Sequence, residues 1–156
     1  MADRCDYVHQ LSESTRLVRE TLGIPESQTT LVYQSRSGRP QDPWLEPDIL
    51  DHLRALHARG VRQIVLLPIG FLSDHMEVLY DLDYEAANLA AELGMTFVRA
   101  GTPAGHPEFA PCMVDLIEEY LGRCPPVAVG FDPPRIPQCR EDCCPGPAQR
   151  PVRPGA

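Results

Sequence analysis

Gln63 to Pro68 (QIVLLP) carries four consecutive apolar residues, Ile64 to Leu67, with no polar residue between them. Successive side chains of a strand point to opposite faces, so such a run predicts a strand covered on both sides. That is the situation of a parallel sheet lying between helices. The flanking segments fit the same plan. Tyr7 to Leu22 places Leu11, Val18 and Leu22 on one side of a helix and ends at Gly23-Ile24-Pro25. Thr29 to Gln34 (TTLVYQ) is β-branched and aromatic, which predicts a strand. Asp48 to Ala58 predicts a second helix closed by Gly60, Asp74 to Leu93 a third closed by Gly94, and His106 to Leu121 a fourth. Thr96 to Ala100 (TFVRA) predicts the last strand. Helices alternating with strands imply an α/β fold: a three-layer parallel sheet with helices on both faces, three strands wide. Ligands of such sheets bind beyond the carboxyl ends of the strands.

With 156 residues the chain has room for one domain, expected over 1–123. From Cys124 to Ala156 nine of 33 residues are Pro and the apolar periodicity stops. This tail builds no core of its own and is expected to be extended unless something ties it down. The net charge of -8 opposes phosphate backbones, so nucleic acid is not an expected partner. No apolar stretch is long enough for a membrane span, and Met1-Ala2-Asp3-Arg4 opens no signal peptide. The expectation is a cytoplasmic protein with at most peripheral membrane contact.

The third helix carries the chemistry. Glu77, Asp81 and Glu85 lie at i, i+4 and i+8 on one stripe, with Asp74 and His75 at its start. The plain reading is a solvated helix face. Against it, the stripe itself holds no Lys or Arg, so its like charges repel without relief. The helix also begins at the ligand-binding end of the sheet. A histidine beside carboxylates suits a first-row divalent metal, and a cation would compensate the repulsion.

Two segments add a resemblance. LLPIGFLSDHMEVLYDLDYEA, residues 66–86, resembles the most distinctive stretch of the ferrochelatases, which insert ferrous iron into a porphyrin. YQSRSGRPQDPWLEPD, residues 33–48, resembles a second stretch of that family. Val78 after Glu77 is similar to the bacterial branch that uses coproporphyrin III. The likeness runs from about Tyr7 to Leu121 and implies one half of a two-domain, chelatase-like fold. It implies Glu77 as iron ligand or proton acceptor, Asp81 and Glu85 as an acidic ladder for metal or protons, and Asp74 and His75 as the pair that orients the site. Phe71 would line the porphyrin cleft, Ser37 and Arg36 would meet propionates, and Trp44 would anchor its loop by packing. Ferrous iron enters as substrate, and no nucleotide cofactor is implied.

The family's second key residue, a histidine in an AHS-type motif, precedes the first helix. None of the five histidines here occupies that place. The resemblance therefore implies a missing N-terminal half, an internal origin for Met1 and little activity for this polypeptide alone. Some family members hold a [2Fe–2S] cluster on C-terminal cysteines. Cys139, Cys143 and Cys144, with Cys5 or Cys124, could supply four thiolates. Unused thiols or a zinc-binding tail account for the same residues, because the spacing matches no cluster variant closely. Cys112 is expected to be a small buried hydrophobe. Two further readings stay open: a non-catalytic porphyrin- or metal-binding remnant or partner subunit, and a chelatase of the cobalamin or sirohaem pathways.

Overall fold

The computed structural model describes residues 6–34 and 44–134. Four α-helices are present among them: α1 (Tyr7–Thr21), α2 (Ile49–Ala58), α3 (Ala87–Glu92) and α4 (Phe109–Tyr120). The strands are β1 (Gln63–Leu66) and β2 (Thr96–Arg99), and a π-helix (Val78–Ala86) runs directly into α3. β1 and β2 pair in parallel, from Gln63 opposite Thr96 to Leu66 opposite Arg99. The π-helix and α3 form the crossover between them, so the α/β expectation holds.

The ends of α2 follow from local chemistry. Asp48, in extended conformation, caps it by accepting from the N–H groups of Leu50 and Asp51, two donors the helix cannot satisfy itself. At its other end Gly60 takes φ +87, a left-handed conformation that costs a residue without Cβ little. The core is small. Ile49 and Leu53 of α2 are buried against Ala86, with Ile64 and Leu66 of β1, Phe97 of β2 and Leu89 of α3 packed around them.

Several expectations are corrected. Thr29–Gln34 is extended yet forms no ladder; its one link is an isolated parallel bridge between Tyr33 and Asp48. Among the described residues the sheet therefore has two strands, not three. β1 alternates between half-buried and exposed, and Val65 (76% exposed) and Val98 (54%) stand open on the face away from α2 and α3. On α1, neither Val18 nor Leu22 is buried. Trp44 is 39% exposed, and Cys112 is exposed where a small buried hydrophobe was expected.

The first described residues of the tail are tied to α1. The N–H of Phe131 donates to Glu13 Oε1 at 3.0 Å, the Arg16 guanidinium lies 4.0 Å over the Phe131 ring, and His9 Nε2 meets Asp132 Oδ2 at 2.9 Å. Gly130, at φ +105, passes so close to Glu13 that a Cβ would collide with its carboxylate. Hydrogen bonding to Asp132, then its charge, raises the His9 pKa above its ordinary 6.5. The Arg16 hydrogen bond, then the Phe131 N–H, lowers Glu13 to about 2 from 4.5. The His9 contribution is thus complete below 6.5 and lost as pH rises through its raised value. The Glu13 contribution is complete above 4.5 and lost as pH falls through about 2. The strap is expected to be held best between those two ordinary values. An NMR titration of His9 should show its pKa return towards the ordinary value in Asp132→Asn. An unchanged titration would mean that the contact does not form in solution.

Candidate active site on a π-helical segment

β1 leads through residues 67–75 into the site helix. Phe71 meets His75 edge-on, with ring centroids 4.6 Å apart, and His75 Nδ1 accepts the backbone N–H of Glu77 at 3.2 Å. His75 thereby satisfies one of the donors left open where a helix begins. An accepting Nδ1 carries no proton, which places the proton of a neutral ring on Nε2.

From Val78 the helix widens. The Ala87 N–H reaches back five residues to Leu82 O, the i→i+5 pattern of a π-helix, a form that is rare and concentrated at functional sites. Val78, Leu82 and Ala86 bury one side of it, as their four-residue spacing allows. Glu77 lies exposed at its head, and Asp81 and Glu85 are half-buried behind it. Among the described residues the Glu77 carboxylate has no hydrogen-bond or ion-pair partner, whereas Asp81 makes an interaction of its own. No group of three or more His, Cys, Asp or Glu side chains is gathered to hold a metal ion among the described residues. Glu77, Asp81 and Glu85 therefore form a succession of separate carboxylates and not a ready-made cage.

Two features of the site escaped the sequence reasoning. Arg99, the last residue of β2, grips Asp74 through Nη1 and Nη2 at 3.1 Å each, and Asp83 through Nη2 at 2.9 Å and through Nε. Two bidentate carboxylates on one guanidinium raise its pKa, with Asp83 the larger cause. The available signal was a cation at the carboxyl end of a strand, where ligand sites of parallel sheets lie. The second feature is a shallow apolar depression lined by Met76, Leu79, Tyr80 and Tyr84. The rings of Tyr80 and Tyr84 stack within it at 5.5 Å, and Met76 is 74% exposed. Flat aromatic faces beside an exposed carboxylate suit a planar ligand with a polar centre.

Arg36, Ser37, Cys5, Cys139, Cys143 and Cys144 lie outside the described residues. Cys124 is described: it is an exposed free thiol whose pKa is raised by desolvation, then by Glu119, Asp115 and Glu118. Desolvation and the nearby carboxylates both disfavour the thiolate of Cys124. No helix among the described residues is long and apolar enough to cross a membrane.

Comparison with known proteins places the chain. It is 48% identical over 146 residues to a ferrochelatase of Rhodopirellula baltica, covering 92% of this chain and 41% of that protein. It is 45% identical over 155 residues to a coproporphyrin III ferrochelatase of Nocardia farcinica (96% and 43% covered) and 45% over 150 to one of Corynebacterium diphtheriae (93% and 40%). The chain thus spans about two-fifths of the length of these relatives. The ferrochelatase family profile matches residues 1–121, which contain every element of the sheet and the whole site helix. The chain belongs to the ferrochelatase family.

Proposed function

We propose that this chain supplies the Glu77 wall of a ferrochelatase that inserts ferrous iron into coproporphyrin III in the cytoplasm, completed by an N-terminal half of the same family. The observation that carries the reading is an exposed Glu77 at the head of a π-helix, beyond the carboxyl ends of the strands, in a chain of this family. A free-base porphyrin holds two pyrrole N–H protons, and both leave as iron enters. Glu77 takes one proton or holds the incoming iron, with Asp81 and Glu85 continuing the acidic path behind it, and the protons that Glu77 does not take leave to the histidine of the N-terminal half and to water. Phe71 and His75 hold the start of the helix. The Tyr80–Tyr84 surface offers an apolar seat for a ring edge. Coproporphyrin III is favoured because relatives at 45% identity carry that name and because Val78 follows Glu77. The open face of Val65 and Val98 supports a further packing partner, since parallel sheets are normally covered on both sides.

Iron insertion into coproporphyrin III and protoporphyrin IX, measured with the chain alone and mixed with the N-terminal portion of the Nocardia farcinica relative, tests this. The chain alone should be nearly inert, and the mixture should convert coproporphyrin III faster. Full rates from the chain alone would overturn the need for a second half. No insertion from any mixture would overturn the reading itself.

A porphyrin- or metal-binding subunit without catalysis is the second reading, favoured by a chain that spans about two-fifths of the length of its relatives. It predicts porphyrin fluorescence quenching with no turnover in any mixture. For the tail, a [2Fe–2S] cluster on Cys139, Cys143, Cys144 and Cys5 predicts visible absorbance and stoichiometric iron and sulfide in anaerobically purified protein. A colourless, iron-free preparation after reconstitution removes it. Arg36 and Ser37 as propionate contacts predict weaker porphyrin binding on their replacement.

A further inference from the structure

We infer that Arg99 is a positioning residue for the site helix, fixing the direction of Glu77 by gripping Asp74 before it and Asp83 after it. The inference rests on the ferrochelatase reading for its functional half and on geometry alone for its structural half. Arg99 is referenced to the sheet, because it ends β2 opposite Leu66. Its side chain is 16% exposed, so the pairs it makes are shielded more than those at an open surface. Asp74 lies three residues before Glu77 and Asp83 six after it. The guanidinium therefore fastens the connecting loop and the middle of the π-helix to one strand end, with Glu77 carried between the two fastenings. A planar fork can hold two carboxylates at once, which an ammonium cannot do with the same fixity.

The fastening also settles the local charge. Asp74, Glu77, Asp81, Asp83 and Glu85 crowd one short stretch, and like charges at such spacing repel. Arg99 pairs Asp74 and Asp83, the two that sit off the Glu77–Asp81–Glu85 succession. Glu77 is left out of these pairs while the helix is relieved of part of its repulsion. A π-helix is an uncommon backbone state, and a tertiary fastening on each side of its head is a physical reason for it to persist here.

The test compares Arg99→Met, Arg99→Lys and the double variant Asp74→Asn/Asp83→Asn with the native chain. In the chain itself, Arg99→Met should raise hydrogen exchange at residues 78–86 by about tenfold while α2 stays protected. It should also weaken the near-ultraviolet circular dichroism of the Tyr80–Tyr84 stack. Arg99→Lys should restore part of both, and the double Asn variant should match Arg99→Met. In the completed enzyme, Arg99→Met should lower kcat by on the order of a hundredfold with the porphyrin KM little changed, as expected when a reacting group is misplaced by about 1 Å. Unchanged exchange and tyrosine signal in both Arg99→Met and the double variant would overturn the inference, as would an equal loss of protection throughout the chain. If exchange changes as expected and the native mixture inserts no iron, the ferrochelatase reading fails and the clamp stands.

Discussion

Glu77→Gln in the completed enzyme is expected to lower the rate of iron insertion by at least about a hundredfold, the usual scale for removing a positioned acid–base group. Porphyrin affinity should change little. The substitution keeps the size and the planar head of the side chain, so the depression lined by Met76, Leu79, Tyr80 and Tyr84 should persist. It removes the negative charge that would hold ferrous iron and the oxygen that would accept a pyrrole proton. No neighbour can stand in: Asp74 is held by Arg99, His75 is committed through Nδ1 to the Glu77 backbone, and Asp81 lies four residues further along the helix. The measurement is the initial rate of metalloporphyrin formation, with binding followed separately by porphyrin fluorescence. Glu92→Gln, an exposed change at the far end of α3, is the control and should leave the rate unaltered. A Glu77→Gln enzyme that keeps most of its rate would remove Glu77 from the chemistry.

How far the sequence reached can be seen residue by residue. α2 was legible at both ends, because Asp48 and Gly60 act through the backbone within a few residues of themselves. The extended habit of Thr29–Gln34 was legible too. Its place in a ladder was not, since pairing depends on a partner strand and not on β-branched side chains. Four apolar residues in β1 were read as burial on both faces. Local pattern records what a strand is suited to meet, and it does not say which surface is present to meet it. The acidic succession Glu77, Asp81, Glu85 was found from spacing, and the π-helical backbone beneath it was not. The same residues at the same spacing suit an α-helix, and the widening needs i→i+5 bonds supported by contacts from outside the segment. Arg99 stands 25 residues from Asp74 and 16 from Asp83, so no short-range rule could link them. Family resemblance supplied the site where periodicity supplied only a charged stripe.

Leu53→Ala should be the most damaging change outside the site. Leu53 is fully buried, and α2 meets the π-helix, α3 and the sheet through it and Ile49. Truncating a buried leucine removes transfer free energy and leaves a cavity, together about 2–5 kcal/mol. That is a large part of the stability of any domain of this size, typically about 5–15 kcal/mol. Among the described residues the remaining core is slight: beyond Leu53 the fully or nearly fully buried apolar residues are Ile49, Val78, Leu82, Ala86, Ala90 and Met95. Three of these belong to the π-helix, so the cavity opens against the segment that carries Asp81 and Glu85. Urea unfolding followed by circular dichroism should therefore show a lower midpoint, and exchange in residues 78–86 should quicken with it. Val65→Ala makes the contrast, because that side chain is 76% exposed and its truncation should cost less than about 0.5 kcal/mol. In the completed enzyme the order is expected to change. A partner covering the open face of the sheet would bury Val65, and Val65→Ala would then weaken assembly while leaving the isolated chain as stable as before. Equal midpoints for Leu53→Ala and the native chain would mean that the α2 core does not hold the site helix in place.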